Sequence, residues 1–178
     1  MMSNAAQETL ICGSMSCESK LDIHKLLATV PENPEEIQDG QWGSKLFSIL
    51  KNSPSGEVRL MLLPGMHIDG IPVKFKMLVA ISKIIIFVFE SSDRASFEMI
   101  KTAINDEDGI SLTTKKTHCE CLLIGNKNDA KGRQVSVEEA EAFAVSNDMF
   151  FMDASCKELP REVLVAKLEE MVLKMRFK

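Results

Sequence analysis

The stretch Leu122-Leu123-Ile124-Gly125-Asn126-Lys127-Asn128-Asp129 most restricts what this chain can fold into. A short apolar run stops at a glycine and passes at once into a polar cluster spaced N-K-x-D. Such a run reads as a buried strand, which puts the polar cluster at its C-terminal edge. In open α/β sheets that edge is where ligands are held. A second polar cluster, Asp153-Ala154-Ser155-Cys156-Lys157, follows another apolar run, Met149-Phe150-Phe151-Met152. Asn126 and Ser155 lie 29 positions apart. If N-K-N-D were a mere polar turn, the second cluster would be a coincidence.

The two clusters resemble the guanine-specificity motif and the E-T-S-A-K segment of the Ras-like small GTPases, with Cys156 where alanine is usual. The resemblance implies a task for each residue. The Asp129 carboxylate would accept from N1–H and the 2-amino group of guanine. The stem of Lys127 would lie along the ring, and Asn126 would tie neighbouring loops together. The last strand would deliver Ser155, Cys156 and Lys157, with the backbone N–H of Cys156 on guanine O6. Only that N–H is used, so cysteine for alanine leaves the contact in place, although the larger side chain narrows the room for a base.

The N-terminal half departs from the same pattern. Thr9-Leu10-Ile11-Cys12 reads as a first strand ending at Gly13. The family's phosphate loop, G-x-x-x-x-G-K-[S/T], aligns with Gly13 to Lys20. Gly13 matches, but Glu18 stands at the second glycine, Ser19 at the lysine and Lys20 at the hydroxyl position. Glycine lets the backbone wrap a phosphate, whereas a glutamate fills that space and repels the anion. Lys20 is one residue late, which turns it by about 100° on a helix. The next helix is expected over 19–30, with Leu21, Leu26, Leu27 and Val30 on one face. The acidic loop 31–40 falls where the family carries a magnesium-binding threonine, and no threonine occurs there.

Lys45–Leu50 and Val58–Leu63 read as a hairpin of strands joined at 52–56. The second ends in Leu62-Leu63-Pro64-Gly65-Met66, similar to the family's D-x-x-G and its catalytic glutamine. Gly65 is kept, Leu62 replaces the metal-linked aspartate and Met66 the glutamine. The apolar segment 66–81 is either core or a protein-binding face. Trp42 is either a binding anchor or packing under the first helix.

Lys83 to Phe89 is β-branched and aromatic on both faces, the signature of a central parallel strand. Glu90 to Phe97 is similar to the family's D-x-x-x-x-x-S-F segment, and a helix is expected over 97–104. Loops are expected over 105–116. Ser136-Val137-Glu138-Glu139 is a capping box whose helix buries Val137, Ala140, Phe143 and Ala144. Pro160 opens the last helix, packed by Val163, Leu164, Leu168, Met171, Val172 and Met175.

This alternation predicts an α/β, three-layer P-loop NTPase fold of Ras type. The expected sheet has six mostly parallel strands with one antiparallel edge strand, beside about five helices. One domain over 1–178 is expected, with 1–7 disordered. A net charge of −5 gives nucleic acid no footing. The five cysteines, at 12, 17, 119, 121 and 156, read as reduced thiols of a cytoplasmic protein. His118 with Cys119-x-Cys121 lacks a second ligand pair, so no metal site is assigned. Met2 excludes N-myristoylation, and the ending Met175-Arg176-Phe177-Lys178 excludes prenylation, so no lipid anchor is expected.

The functional expectation is a Ras/Rab-like protein without the phosphate, magnesium and catalytic residues. It would meet a protein partner through 66–81 and the loop 31–42. No cofactor is fixed by the sequence. Two alternatives stay open: a protein that holds GDP or GTP without Mg²⁺, and a slow, divergent GTPase switch using Lys20.

Overall fold

The computed structural model describes residues 7–13, 23, 45–48, 58–62, 82–105 and 119–176. Its strands are β1 (Gln7–Gly13), β2 (Lys45–Ser48), β3 (Val58–Leu62), β4 (Ile84–Glu90), β5 (Glu120–Asn126) and β6 (Phe150–Asp153). Its described helices are α1 (Arg94–Asn105), α2 (Val137–Ser146) and α3 (Arg161–Arg176). The strands form one sheet in the order β2-β3-β1-β4-β5-β6. β2 runs antiparallel to β3, while β1 is parallel to β3 and β4, and β5 is parallel to β4 and β6.

β4 shows why the sheet is covered on both faces. Side chains alternate across a strand, so an uninterrupted apolar run has an apolar surface on each side. Ile85, Phe87 and Phe89 enter one core with Phe97, Ile100, Ala103 and Ile104 of α1 and Ala140 and Ala144 of α2. Ile84, Ile86 and Val88 enter the other with Leu122, Ile124 and, from α3, Leu164, Leu168, Met171 and Val172. Helix, sheet and helix are the three layers. Ile23, helical and fully buried, joins the second core. The spacing Ile23, Leu26, Leu27, Val30 is a helical stripe in the sequence, and Ile23 belongs on it.

Several expected boundaries move. β1 begins at Gln7, and β5 runs on through Gly125 to Asn126, opposite Glu90. α1 starts at Arg94 rather than Phe97, because Asp93 caps it. Asp93 Oδ1 accepts the Ala95 N–H at 3.0 Å, and Ser96 Oγ donates to the Asp93 carbonyl at 2.7 Å. The capping box at Ser136 is half made. Ser136 Oγ accepts the Glu139 N–H at 3.1 Å, but Arg94 holds the Glu139 carboxylate in a bidentate pair. Val163, expected to pack α3 down, is 48% exposed, since Leu164 and Leu168 take the buried face. The remainder of the expected helix 19–30, the loop 31–42 with Trp42, the turn 52–56, the segment 66–81 and the loop 106–116 lie outside the described residues.

Candidate functional site

The C-terminal ends of β4, β5 and β6 bring the two polar clusters together. β5 pairs with β4 on one side and β6 on the other, with Glu90 opposite Asn126 and Asp153 opposite Gly125. The residues that follow β5 and β6 therefore emerge side by side. Backbone bonds stitch them: the Ala154 N–H donates to Gly125 O at 2.9 Å, the Asn128 N–H to Ala154 O at 3.3 Å, and the Ser91 N–H to Asn126 O at 2.9 Å.

Asn126 is buried at 1% exposure, and its Oδ1 accepts the Cys156 N–H at 2.9 Å. This is the tie between loops that the resemblance implies for Asn126. It also engages the N–H assigned to a guanine O6. The Cys156 side chain packs against the core formed with α3, which accommodates cysteine in the alanine position.

Lys127 adopts φ 58°, a left-handed conformation uncommon for a residue with a side chain. Its Nζ lies 2.9 Å from Glu90 Oε1. The Ser155 hydroxyl donates to the Asp129 carboxylate and holds it below the ordinary carboxylate range, against a smaller opposing effect of desolvation. Lys157 Nζ stands 4.0 Å from Asp129 Oδ2 and is 83% exposed, so that contact is weak.

Two further features were not read from the sequence. Arg133 donates from both terminal nitrogens to Asp153, at 2.9 to 3.2 Å, and also to the Val135 carbonyl at 3.1 Å. This pins the loop after N-K-N-D onto β6. Gly125 is required by close approach: a Cβ there would meet Phe89 Cζ at 2.8 Å and Asp153 Oδ1 at 3.2 Å. The partnership of Glu90 with Lys127 depends on the β4–β5 register, which single-sequence spacing does not fix.

The structure therefore unites Asn126, Lys127, Asp129, Ser155, Cys156 and Lys157 at one sheet edge. From the degenerate phosphate pattern, Gly13 ends β1, opposite Val88 of β4. From D-x-x-G, Leu62 ends β3, opposite Lys45. Glu18, Ser19, Lys20, Gly65 and Met66 lie outside the described residues. No helix among the described residues is long and apolar enough to cross a membrane.

Comparison with known proteins agrees with this architecture. The Ras-related protein RABF2a of Arabidopsis thaliana is 37% identical over 73 residues, which are 40% of this chain and 34% of that protein. The chain thus spans about a third of the length of the curated relative it matches. The family model of the Ras family matches residues 75–174, more than half of the chain and all of the described site. With a parallel sheet flanked by helices and the two polar clusters joined at its edge, the chain belongs to the Ras family.

Proposed function

We propose that this chain is a non-hydrolysing Ras-family protein that works as a protein-interaction module. Leu62 carries the reading. β3 ends on this residue, where the family pattern has the aspartate linked to magnesium. A leucine side chain carries no oxygen, and so cannot replace a carboxylate as ligand to a hard cation, which takes oxygen ligands almost exclusively. Ser19 in the lysine position, Glu18 in the glycine position and Met66 in the glutamine position point the same way. Mg²⁺ therefore does not fit this set of residues. Phosphoryl transfer rests on positioning and charge stabilisation, and these substitutions remove both.

In this reading the full domain has the family's six strands and about five helices. A partner docks on 66–81 and the loop 31–42, and the setting is membrane traffic, ciliary transport or cytoskeletal assembly by family analogy. Single-turnover incubation with GTP and Mg²⁺ tests it. Phosphate release at the buffer rate is expected, and release above it that vanishes in Lys20→Ala would sink the proposal in favour of a divergent GTPase.

A second reading is that the chain holds GDP or GTP without Mg²⁺. The observation favouring it is geometric: the residues after β5 and β6 emerge side by side, which sets Lys127 and Asp129 beside Ser155 and Cys156 at the sheet edge where the resemblance expects a base. Thermal unfolding with GDP, GTP and ATP, each with and without Mg²⁺, separates the two. A ligand at 100 times its Kd stabilises by about 2.7 kcal/mol. A guanine-specific, Mg²⁺-independent shift selects the binder, and no shift with any nucleotide selects the scaffold.

A further inference from the structure

Building on the guanine-binding reading, we propose that Glu90 is a positioning residue that holds Lys127 as a shelf for the flat face of a purine base. Glu90 faces Asn126 across β4 and β5, so its carboxylate stands at the root of the N-K-x-D loop. Lys127 leaves β5 with φ 58°, and the Ala130 N–H closes the following turn by donating to the Lys127 carbonyl at 3.0 Å. From there Nζ returns to within 2.9 Å of Glu90 Oε1. Both ends of the side chain are thereby held, the backbone by the turn and the ammonium by the carboxylate. The methylenes between them bridge the ends of two neighbouring strands.

The pair lies between surface and core, with the Glu90 side chain 12% exposed and that of Lys127 34%. A wholly exposed pair would be screened and contribute little, whereas a mostly buried carboxylate holds its partner more firmly. The gain for a ligand is entropic. A free lysine loses rotamer freedom when a ring settles on it, and a tethered one has lost that freedom on folding. Backbone held in a sparsely populated region at such a place is consistent with a site shaped in advance. Glu90 touches no base in this scheme and acts only through Lys127.

The test uses the full chain in Mg²⁺-free buffer, with anisotropy of a fluorescent GDP and competition by unlabelled guanosine. Glu90→Ala should weaken GDP and guanosine alike, by between about twofold and about tenfold. Glu90→Gln, which keeps an acceptor oxygen, should recover part of the loss. Glu90→Ala/Lys127→Ala should bind no more weakly than Lys127→Ala, because the effect passes through the lysine. Unfolding midpoints of each variant establish that binding is compared between folded proteins. Wild-type affinity in Glu90→Ala, or losses that multiply in the double variant, overturn the positioning role and leave guanine binding standing. Tighter GDP with unchanged guanosine means that Glu90 acts by repelling phosphate, and that also overturns it. Binding of neither ligand by the wild-type chain overturns both the proposal and the guanine-binding reading, leaving the scaffold.

Discussion

Asn126 and Cys156, 30 positions apart, are joined by a 2.9 Å hydrogen bond in which the Cys156 amide donates to Asn126 Oδ1. The bond closes the space between the ends of β5 and β6. It makes Asn126 a structural part of the edge whether or not a base lies there. Removing one partner of a buried bond costs more than the bond's net worth, because the other is left unsatisfied. Asn126→Ala should therefore destabilise the fold by about 1–3 kcal/mol. Urea unfolding checks this, with a lower midpoint at unchanged m-value expected.

Arg133 and Asp153 form a paired contact with both side chains mostly covered, at 29% and 19% exposure. Planar, two-point pairing is the geometry in which an arginine–carboxylate pair earns more than an isolated surface pair. A double-mutant cycle with Arg133→Ala and Asp153→Ala should return a coupling energy of about 1 kcal/mol. Arg133→Lys should not restore it, since an ammonium cannot reproduce the fork.

Gly125→Ala places a methyl group 2.8 Å from Phe89 Cζ. Phe89 is fully buried and packed at a tilt against Phe97 with ring centroids 4.9 Å apart, so it has little room to give. The substitution should cost about 1–3 kcal/mol by overpacking. Combined with Phe89→Leu, the loss should be less than the sum of the two single losses, measured by chemical unfolding.

Asp129 and Glu139 are both held below the ordinary carboxylate range, by the Ser155 hydroxyl and by Arg94 respectively. A folded-state value below the unfolded one means the stabilisation is present above the unfolded pKa, about 4. It is lost as pH falls through the folded value. Stability should thus be flat from pH 7 to 5 for these groups and decline below about pH 4. Ser155→Ala should raise the Asp129 titration midpoint toward the ordinary value without moving that of Glu139. Carboxyl NMR titration measures both, and an unmoved Asp129 would refute the assigned cause.

The local pattern was enough to read much of this protein. β4 could be recognised as central because six successive residues are apolar, and burial on both faces follows from strand geometry alone. N-K-N-D and D-A-S-C-K could be paired because each follows an apolar run, which sets them at strand ends. Boundaries were less legible where a side chain had two possible partners. Asp93 could cap α1 three residues earlier than the apolar spacing suggests, and Arg94 drew Glu139 away from its own cap.

What the sequence by itself determined was the class of fold and the identity of the polar groups at the sheet edge, since both rest on short-range periodicity and spacing. What only the tertiary structure decided was the partner of each group: Asn126 with Cys156, Lys127 with Glu90, and Arg133 with Asp153. These contacts join residues far apart in the chain, and they exist only once β4, β5 and β6 have aligned in register. A shift of one residue turns every side chain to the other face, so the register, rather than composition, fixes which charges and donors meet.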